Sequence, residues 1–287
     1  MLFMEAFIVN TLALTDRIEF MKKTVLMCRP DYFEVAYEIN AWMHLDNPVD
    51  VELAKKQWQN LHDTYIDLGY KVEIIEPVRG LPDMVFSANG ALVIDGKVFS
   101  TNFGEHAVER RPETELFEKW FMENGYAQIY RPQNPSEGEG DILYSGDTIF
   151  AGWGQNRSSK ESHHELREFF GKDTVSMHLV DPRFYHLDTA MSPIDQDTVM
   201  FFPGAFDEES RKELEKRFKN KIYASEKDAA GFGLNAVSDG KNVVMSSAAE
   251  DLMDELRKHG YNPIGKDMTE FRKSGGAVKC CTLELRA

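Results

Sequence analysis

Cysteine is scarce in this chain, and its scarcity is informative. There are three cysteines in 287 residues, two of them adjacent at Cys280 and Cys281, so no disulfide framework can be built. That usage fits a reducing compartment, and the cytoplasm is the expected location. No C-x-x-C pair is present to begin a structural zinc site, and no metal is expected. Nor is there an apolar run long enough to span a bilayer. The stretch from Phe3 to Leu14 is broken by Glu5 and Asn10, and it lacks the basic leader and small-residue cleavage site of a signal peptide. Residues 1–20 are read as an N-terminal extension, and residues 21–287 as a single catalytic domain. Basic side chains are outnumbered 33 to 48, the net charge is −15, and nothing gathers the bases into a patch. Neither nucleic acid nor an anionic membrane surface is therefore an expected partner. An acidic protein does suit a cationic small molecule. Self-association is left open, so a homo-oligomer stays among the alternatives.

What is abundant is repetition. Val85 to Phe99 and Phe232 to Met245 share one design: a polar residue (Asn89, Asn235), a strand, an Asp-Gly-Lys turn and a second strand. Asp-Gly between apolar runs is a strong hairpin signal, because the turn requires positive φ. Looser copies run from Gly140 to Gly152 and from His186 to Phe202, and a last, truncated copy runs from Gly276 to Leu285. Between them lie helical patterns, at Val51 to Leu68, Pro112 to Asn124, Lys160 to Phe170, Glu208 to Asn220 and Ala249 to His259. Three of these end in Gly-Tyr, at Gly69, Gly125 and Gly260, where glycine takes the left-handed cap cheaply. About five ββαβ-type modules result. Open stacking would expose sheet edges, so closure into a five-bladed α/β propeller is the expected fold. In such a ring the polar residues that open the hairpins, Asn89, Asp141, Asp188, Asn235 and Cys280, converge at one end of the axis.

That convergence brings chemistry-bearing groups together. Cys280 follows Gly275-Gly276, whose freedom allows special dihedrals and close packing beside a reactive side chain. It is expected in the last strand, facing the axis, with Cys281 on the opposite face in the packing layer. His186 and Asp188 stand at alternate positions of a strand start and should share a face, and a histidine beside a thiol can carry protons near neutral pH. His163-His164 on a helix are expected to be solvated. The acidic, glycine-rich run Glu137-Gly138-Glu139-Gly140-Asp141 offers carboxylates of the kind that bind a guanidinium fork.

Five segments in order make the chain resemble the guanidine-modifying superfamily of arginine deiminase, dimethylargininase, arginine dihydrolase and the amidinotransferases. They are Tyr37 to Met43, Pro82 to Phe86, Glu137 to Asp141, His186 to Thr189, and Ser274 to Cys280. The resemblance implies the same five-bladed fold and a cysteine-dependent amidine hydrolase with no cofactor. In it Cys280 forms a covalent thiouronium adduct at the guanidinium carbon, and His186 protonates the leaving amine and then activates water. Glu137 binds the guanidinium, with Glu139 the alternative, and Asp188 is a second contact. Arg110 and Arg157 resemble the arginines that hold the substrate's α-carboxylate, and Asn40, Asp83 and Asn89 complete the implied binding set. Val85-Phe-Ser-Ala-Asn89 follows the dihydrolase pattern, where deiminase- and dimethylargininase-like chains tend to carry an acid. Arginine or a methylated arginine is the implied substrate. The competing readings are an amidinotransferase, in which an amine resolves the adduct, and a non-catalytic guanidino-binding propeller.

Overall fold

The computed structural model describes residues 23–286, so the expected extension of residues 1–20 lies outside the described residues. The helix Val51–Asp67 forms where the apolar stripe predicts it, burying Ala54, Trp58, Leu61 and Tyr65 on one face. Asp50 caps it by accepting a hydrogen bond from the Leu53 N–H at 3.0 Å. Past it, Gly69 has φ +84, and Gly125 and Gly260 both have φ +87, as their cap positions require. The helix expected to reach Asn220 stops at Arg217. Phe218 is extended there, with φ −100 and ψ 137, and Asn220 already pairs with Thr198 in a sheet.

The chain folds as alternating helices and strands. In chain order the strands are β1 Thr24–Cys28 and β2 Lys71–Ile75; β3 Ala91–Ile94, β4 Lys97–Ser100 and β5 Gln128–Tyr130; β6 Ile142–Ser145, β7 Thr148–Trp153 and β8 Asp173–His178; β9 Met191–Pro193, β10 Thr198–Phe201 and β11 Asn220–Tyr223; β12 Val237–Ser238, β13 Asn242–Ser246 and β14 Asn262–Lys266; and finally β15 Leu283–Leu285. Each unit is an antiparallel hairpin followed by a helix that returns the chain to a third strand, parallel to the second. The C-terminal copy, truncated in the sequence, is completed by the first strands of the chain. β15 pairs antiparallel with β1, and β1 pairs in parallel with β2. The Asp95-Gly96 hairpin turn carries φ 52 and φ 67, the positive pair its sequence calls for.

The apolar core lies between these units and under their helices, in clusters built from Phe150, Phe201 and Met245, from Trp58, Tyr65 and Phe271, and from Phe117, Phe121 and Leu26. Just before the first strand of each unit the chain makes a tight turn. These turns are tied to one another in order: Asn89 Nδ2 donates to Glu137 O, the Leu187 N–H to Asp141 Oδ1, and Asn235 Nδ2 to Asp188 O. Lys279 N donates to Asn235 O and Ala88 N to Cys280 O, which returns to the starting turn. No helix among the described residues is long and apolar enough to cross a membrane.

Candidate active site

Cys280 does not sit in the last strand as expected. β15 begins only at Leu283, and Cys280 lies in the turn before it, where Cys281 N bonds Ala277 O and Thr282 N bonds Lys279 O. The two preceding glycines are needed for this path. Gly275 has φ +81, and a Cβ on Gly276 would meet Phe86 Cε1 at 2.2 Å. The thiol is 2 % exposed. Its sulfur lies 3.2 Å from Asp188 Oδ2, to which it donates, and accepts from Asn235 Nδ2 at 3.1 Å. Burial, and after it the Asp188 charge, push the thiol well above the ordinary cysteine range. Cys281 packs into the apolar cluster with Val25 and Ala277, as a structural cysteine would.

His186 and Asp188 also leave the expected strand. Leu187–Ala190 is a single helical turn capped by His186, so alternation along a strand does not align the two side chains. Both are nonetheless buried. His186 Nε2 is 2.9 Å from Glu137 Oε2; a carboxylate only accepts, so Nε2 carries the hydrogen and Nδ1 is the ring nitrogen without a partner among the described residues. Gly140 makes room for it, since a Cβ there would lie 2.9 Å from His186 Nδ1. Glu137 is gripped on both oxygens by Arg157, at 2.8 and 2.7 Å. Burial alone would raise the Glu137 carboxyl, but Arg157 and His186 outweigh it and hold it well below the ordinary carboxylate range. Thus Glu137 and Arg157, which the resemblance places at opposite ends of a substrate, bond to each other here. The Arg157 guanidinium also stacks 5.1 Å from the Tyr185 ring.

Arg110 is held in the same way. Its Nε and Nη2 fork onto Glu113 at 3.0 and 2.8 Å, Nη1 donates to Asn89 Oδ1 and Nη2 also to Asp83 O, leaving one of its five N–H groups for any carboxylate anchor. Asn89 therefore spans Arg110 and the Glu137 carbonyl with its amide. Asp83 accepts from Tyr37 Oη through Oδ2, while Oδ1 has no partner among the described residues. Asn40 pins the turn ahead of Cys280 by donating to Ser274 O at 3.1 Å. Asp188 Oδ1 and Asp141 Oδ2 likewise accept no hydrogen bond among the described residues, though Asp141 Oδ2 lies 3.9 Å from His186 Nε2. Burial raises the carboxyls of Asp83 and Asp141 above the ordinary range and pushes Asp188 up to about 6. A buried carboxylate beside the thiol with one oxygen unmatched by a donor, Asp188, suits a planar cation with several N–H groups.

Residues 29–287 match the family described as N,N dimethylarginine dimethylhydrolase, eukaryotic. The chain belongs to this family. Among curated members it is 43% identical over 259 residues to an N(G),N(G)-dimethylarginine dimethylaminohydrolase of Mycobacterium tuberculosis, covering 90% of this chain and 84% of that one. It is 37% identical over 267 residues to the bifunctional arginine dihydrolase/ornithine cyclodeaminase ArgZ of Synechocystis, covering 91% of this chain but 37% of ArgZ. Among solved structures, the substrate-bound N-terminal domain of a cyanobacterial ArgZ, in a Cys-to-Ser variant, superposes with a TM-score of 0.87 at 36% identity over 92% of this chain and 98% of that domain. The same domain has been captured covalently bound to a reaction intermediate (TM-score 0.86, 37% identity, 92% and 97% coverage).

Within this dimethylarginine dimethylhydrolase family member, the alternative carboxylate Glu139 turns away from the thiol. It takes the Lys279 ammonium at 2.5 Å, the Glu284 N–H at 3.0 Å, and Arg286. Glu284 in turn pairs with Lys279 and Arg286, so two buried charges, Glu139 and Lys279, are joined to two partly buried ones of balanced sign. On the far side of this network the first strands of the units run to their hairpin tips around a cavity of about 1060 Å³, lined by Tyr144, Ile194, Ser238, Lys279, Glu284 and Arg286. This cavity is thus lined by the ion network and not by Cys280. Lys279→Met leaves two carboxylates sharing one arginine and is expected to destabilise the fold by about 3–5 kcal/mol. A denaturant midpoint unchanged from the parent would show that the network carries no such weight.

The structure also corrects one histidine of the pair on the helix Ser162–Phe170. His164 is exposed, but His163 is buried, with Nδ1 at 2.8 Å from Ser176 Oγ and Nε2 at 3.2 Å from Gly152 O; burial lowers its titration to about 4. Three site residues escape sequence reasoning: Tyr185 and Lys279 each precede a residue of interest by one position, and Glu113 stands three residues after Arg110. Adjacency flags the first two, and i, i+3 charge spacing the third. Asn235, expected among the converging polar residues, touches the thiol itself, a contact the sequence did not indicate.

Proposed function

We propose that this enzyme hydrolyses the guanidinium group of L-arginine through a thiouronium adduct on Cys280 and carries the product on to ornithine. The observation that carries the reading is the Cys280 thiol lying 3.2 Å from a buried carboxylate that has an unmatched oxygen, Asp188. A guanidinium cation bound there supplies the missing donors and stabilises the thiolate, so the thiol need not be ionised beforehand. The sulfur adds to the guanidinium carbon, His186 delivers a proton to the departing amine, and ammonia leaves. His186 then takes a proton from water, which adds to the same carbon and expels the thiolate as citrulline forms. A second cycle on the ureido carbon completes the balance: one arginine and two waters give ornithine, carbon dioxide and two ammonia. Glu137 orients His186 and Arg157; Asn40, Asp83 and Arg110 shape the binding end, and Arg157, with two N–H groups left against one on Arg110, is the better placed to take a substrate carboxylate.

Asn89 supports the second hydrolysis. Its amide takes the place of an acid, so one negative charge fewer faces a neutral ureido group. A second reading, dimethylarginine as substrate with release of dimethylamine, is favoured by the family match and by the 43% identical relative. We further propose that the five units close as the blades of one propeller domain from residue 21 onward. The hydrogen bonds that run from turn to turn and back to the first support this, and the cytoplasm suits three unpaired thiols.

Product analysis separates the readings. Purified protein incubated with arginine should yield ornithine and two ammonia per arginine consumed. Citrulline as the final product, or dimethylamine from dimethylarginine with arginine untouched, would set the dihydrolase proposal aside.

A further inference from the structure

We propose that Asn235 is a positioning residue for the nucleophile, holding Cys280 by its main chain and donating an N–H to its sulfur once that sulfur is negative. The inference rests on Cys280 being the nucleophile, but not on which substrate it attacks.

Asn235 is fully buried and belongs to the turn before β12, the position equivalent to Asn89, Asp141, Asp188 and Cys280 in the other units. Its side chain makes three bonds: Oδ1 accepts from Cys280 N at 3.1 Å, and Nδ2 donates to Asp188 O at 3.2 Å and to Cys280 Sγ at 3.1 Å. The first two fix the amide's orientation. A main-chain N–H can only donate and a carbonyl can only accept, so the opposite rotamer would place donor against donor and oxygen against oxygen. The N–H at the sulfur is therefore dictated by the backbone on either side.

What that N–H does depends on the charge of the sulfur. A donor favours the charged form of the group it reaches, and it gains most when that group is desolvated. The titratable groups acting on the sulfur are Asp188 and Cys281, and both oppose thiolate; a main-chain bond from Ala277 works the other way, Tyr185 nearby is itself raised by Cys280, and His186, Asp141 and Lys279 act on Asp188. Among the described side chains around the thiol, Asn235 is the neutral donor. It helps wherever the thiolate is formed, as attacking group and again as leaving group when water resolves the adduct.

The test is the pH dependence of Cys280 alkylation by iodoacetamide, followed by peptide mass so that Cys28 and Cys281 are not counted. It is paired with thiolate ultraviolet absorbance measured against a Cys280→Ser control. Neither readout needs a substrate, so a wrong substrate assignment leaves it intact. Asn235→Ala and the near-isosteric, uncharged Asn235→Leu should both move the thiol titration upward. Alkylation at pH 8 should fall at least about tenfold and kcat by about 10- to 100-fold, with KM changed less than about threefold. Should the alanine variant fail to fold, the leucine variant fills the same space without donor or charge and carries the same test. A lowered melting temperature with titration curves that overlay the parent's would reduce Asn235 to a structural residue and overturn the proposal.

Discussion

Cys280→Ala is expected to lose turnover by on the order of 10⁴- to 10⁶-fold while still binding arginine. Losses of that size follow removal of a covalent nucleophile, because the remaining groups can only position water. Binding should survive because the substitution removes no charge: the unmatched oxygens of Asp83 and Asp188 remain to take the guanidinium. Cys281→Ala is the matched control; that thiol packs among apolar side chains, so its loss should cost stability rather than turnover. Ammonia release and calorimetric titration with arginine measure the two effects. Persistent ammonia release from Cys280→Ala would remove the thiouronium route altogether. Parent-like activity there with a dead Cys281→Ala would move the nucleophile by one residue.

The second large effect belongs to Asp188, whose removal should act in opposite directions on two readouts. Asp188→Asn takes away the charge that faces both the substrate cation and the thiol. Turnover should fall about 10²- to 10³-fold, the range seen when a single electrostatic stabiliser is deleted. Alkylation of Cys280 without substrate should become faster at pH 8, because the carboxylate that disfavours thiolate has gone. The parent's pH profile should show the same group. Burial lifts Asp188 from 3.8 to about 6, so its carboxylate, and with it substrate binding, is lost as pH falls through about 6. For stability the sign is reversed. A carboxyl raised in the folded state contributes most below its unfolded value, and that contribution is lost as pH rises through about 6. Asp188→Asn should therefore melt no lower than the parent at pH 8. Slower alkylation in the variant would contradict the placement of this carboxylate beside the sulfur.

How much of this could be read from residues alone depended on how local each feature is. The Asp95-Gly96 turn and the glycine caps at Gly69, Gly125 and Gly260 follow from dihedral preferences that no distant contact needs to enforce. The helix Val51–Asp67 follows from its stripe in the same way. The turns that carry the chemistry do not. Cys280 and Asp188 are taken out of their strands by packing between units, which periodicity cannot reveal. His163 looks like a surface residue until Ser176 and Gly152 are folded against it. Glu137 and Glu139, two positions apart, are told apart by their partners: Arg157 and His186 for one, Lys279 and Arg286 for the other. The repeat did say that five polar positions should meet. It could not say that the fourth, Asn235, would hold the sulfur of the fifth, Cys280.

The pairing of β15 with β1 ties segments far apart in sequence, Thr24 against Leu285. Joining such distant segments carries a large loop-closure entropy, and contacts of this separation form late in folding. Cys280 belongs to the turn that feeds β15, and its neighbours Asp188 and Asn235 come from two other units. On the ribosome most of the units can acquire their hairpins and helices while the thiol is still unmade. The reactive centre then comes into being in one event, when β15 pairs with β1. A partly synthesised or partly unfolded chain thus holds no preassembled thiol, carboxylate and amide, and the chemistry is withheld until the fold is complete.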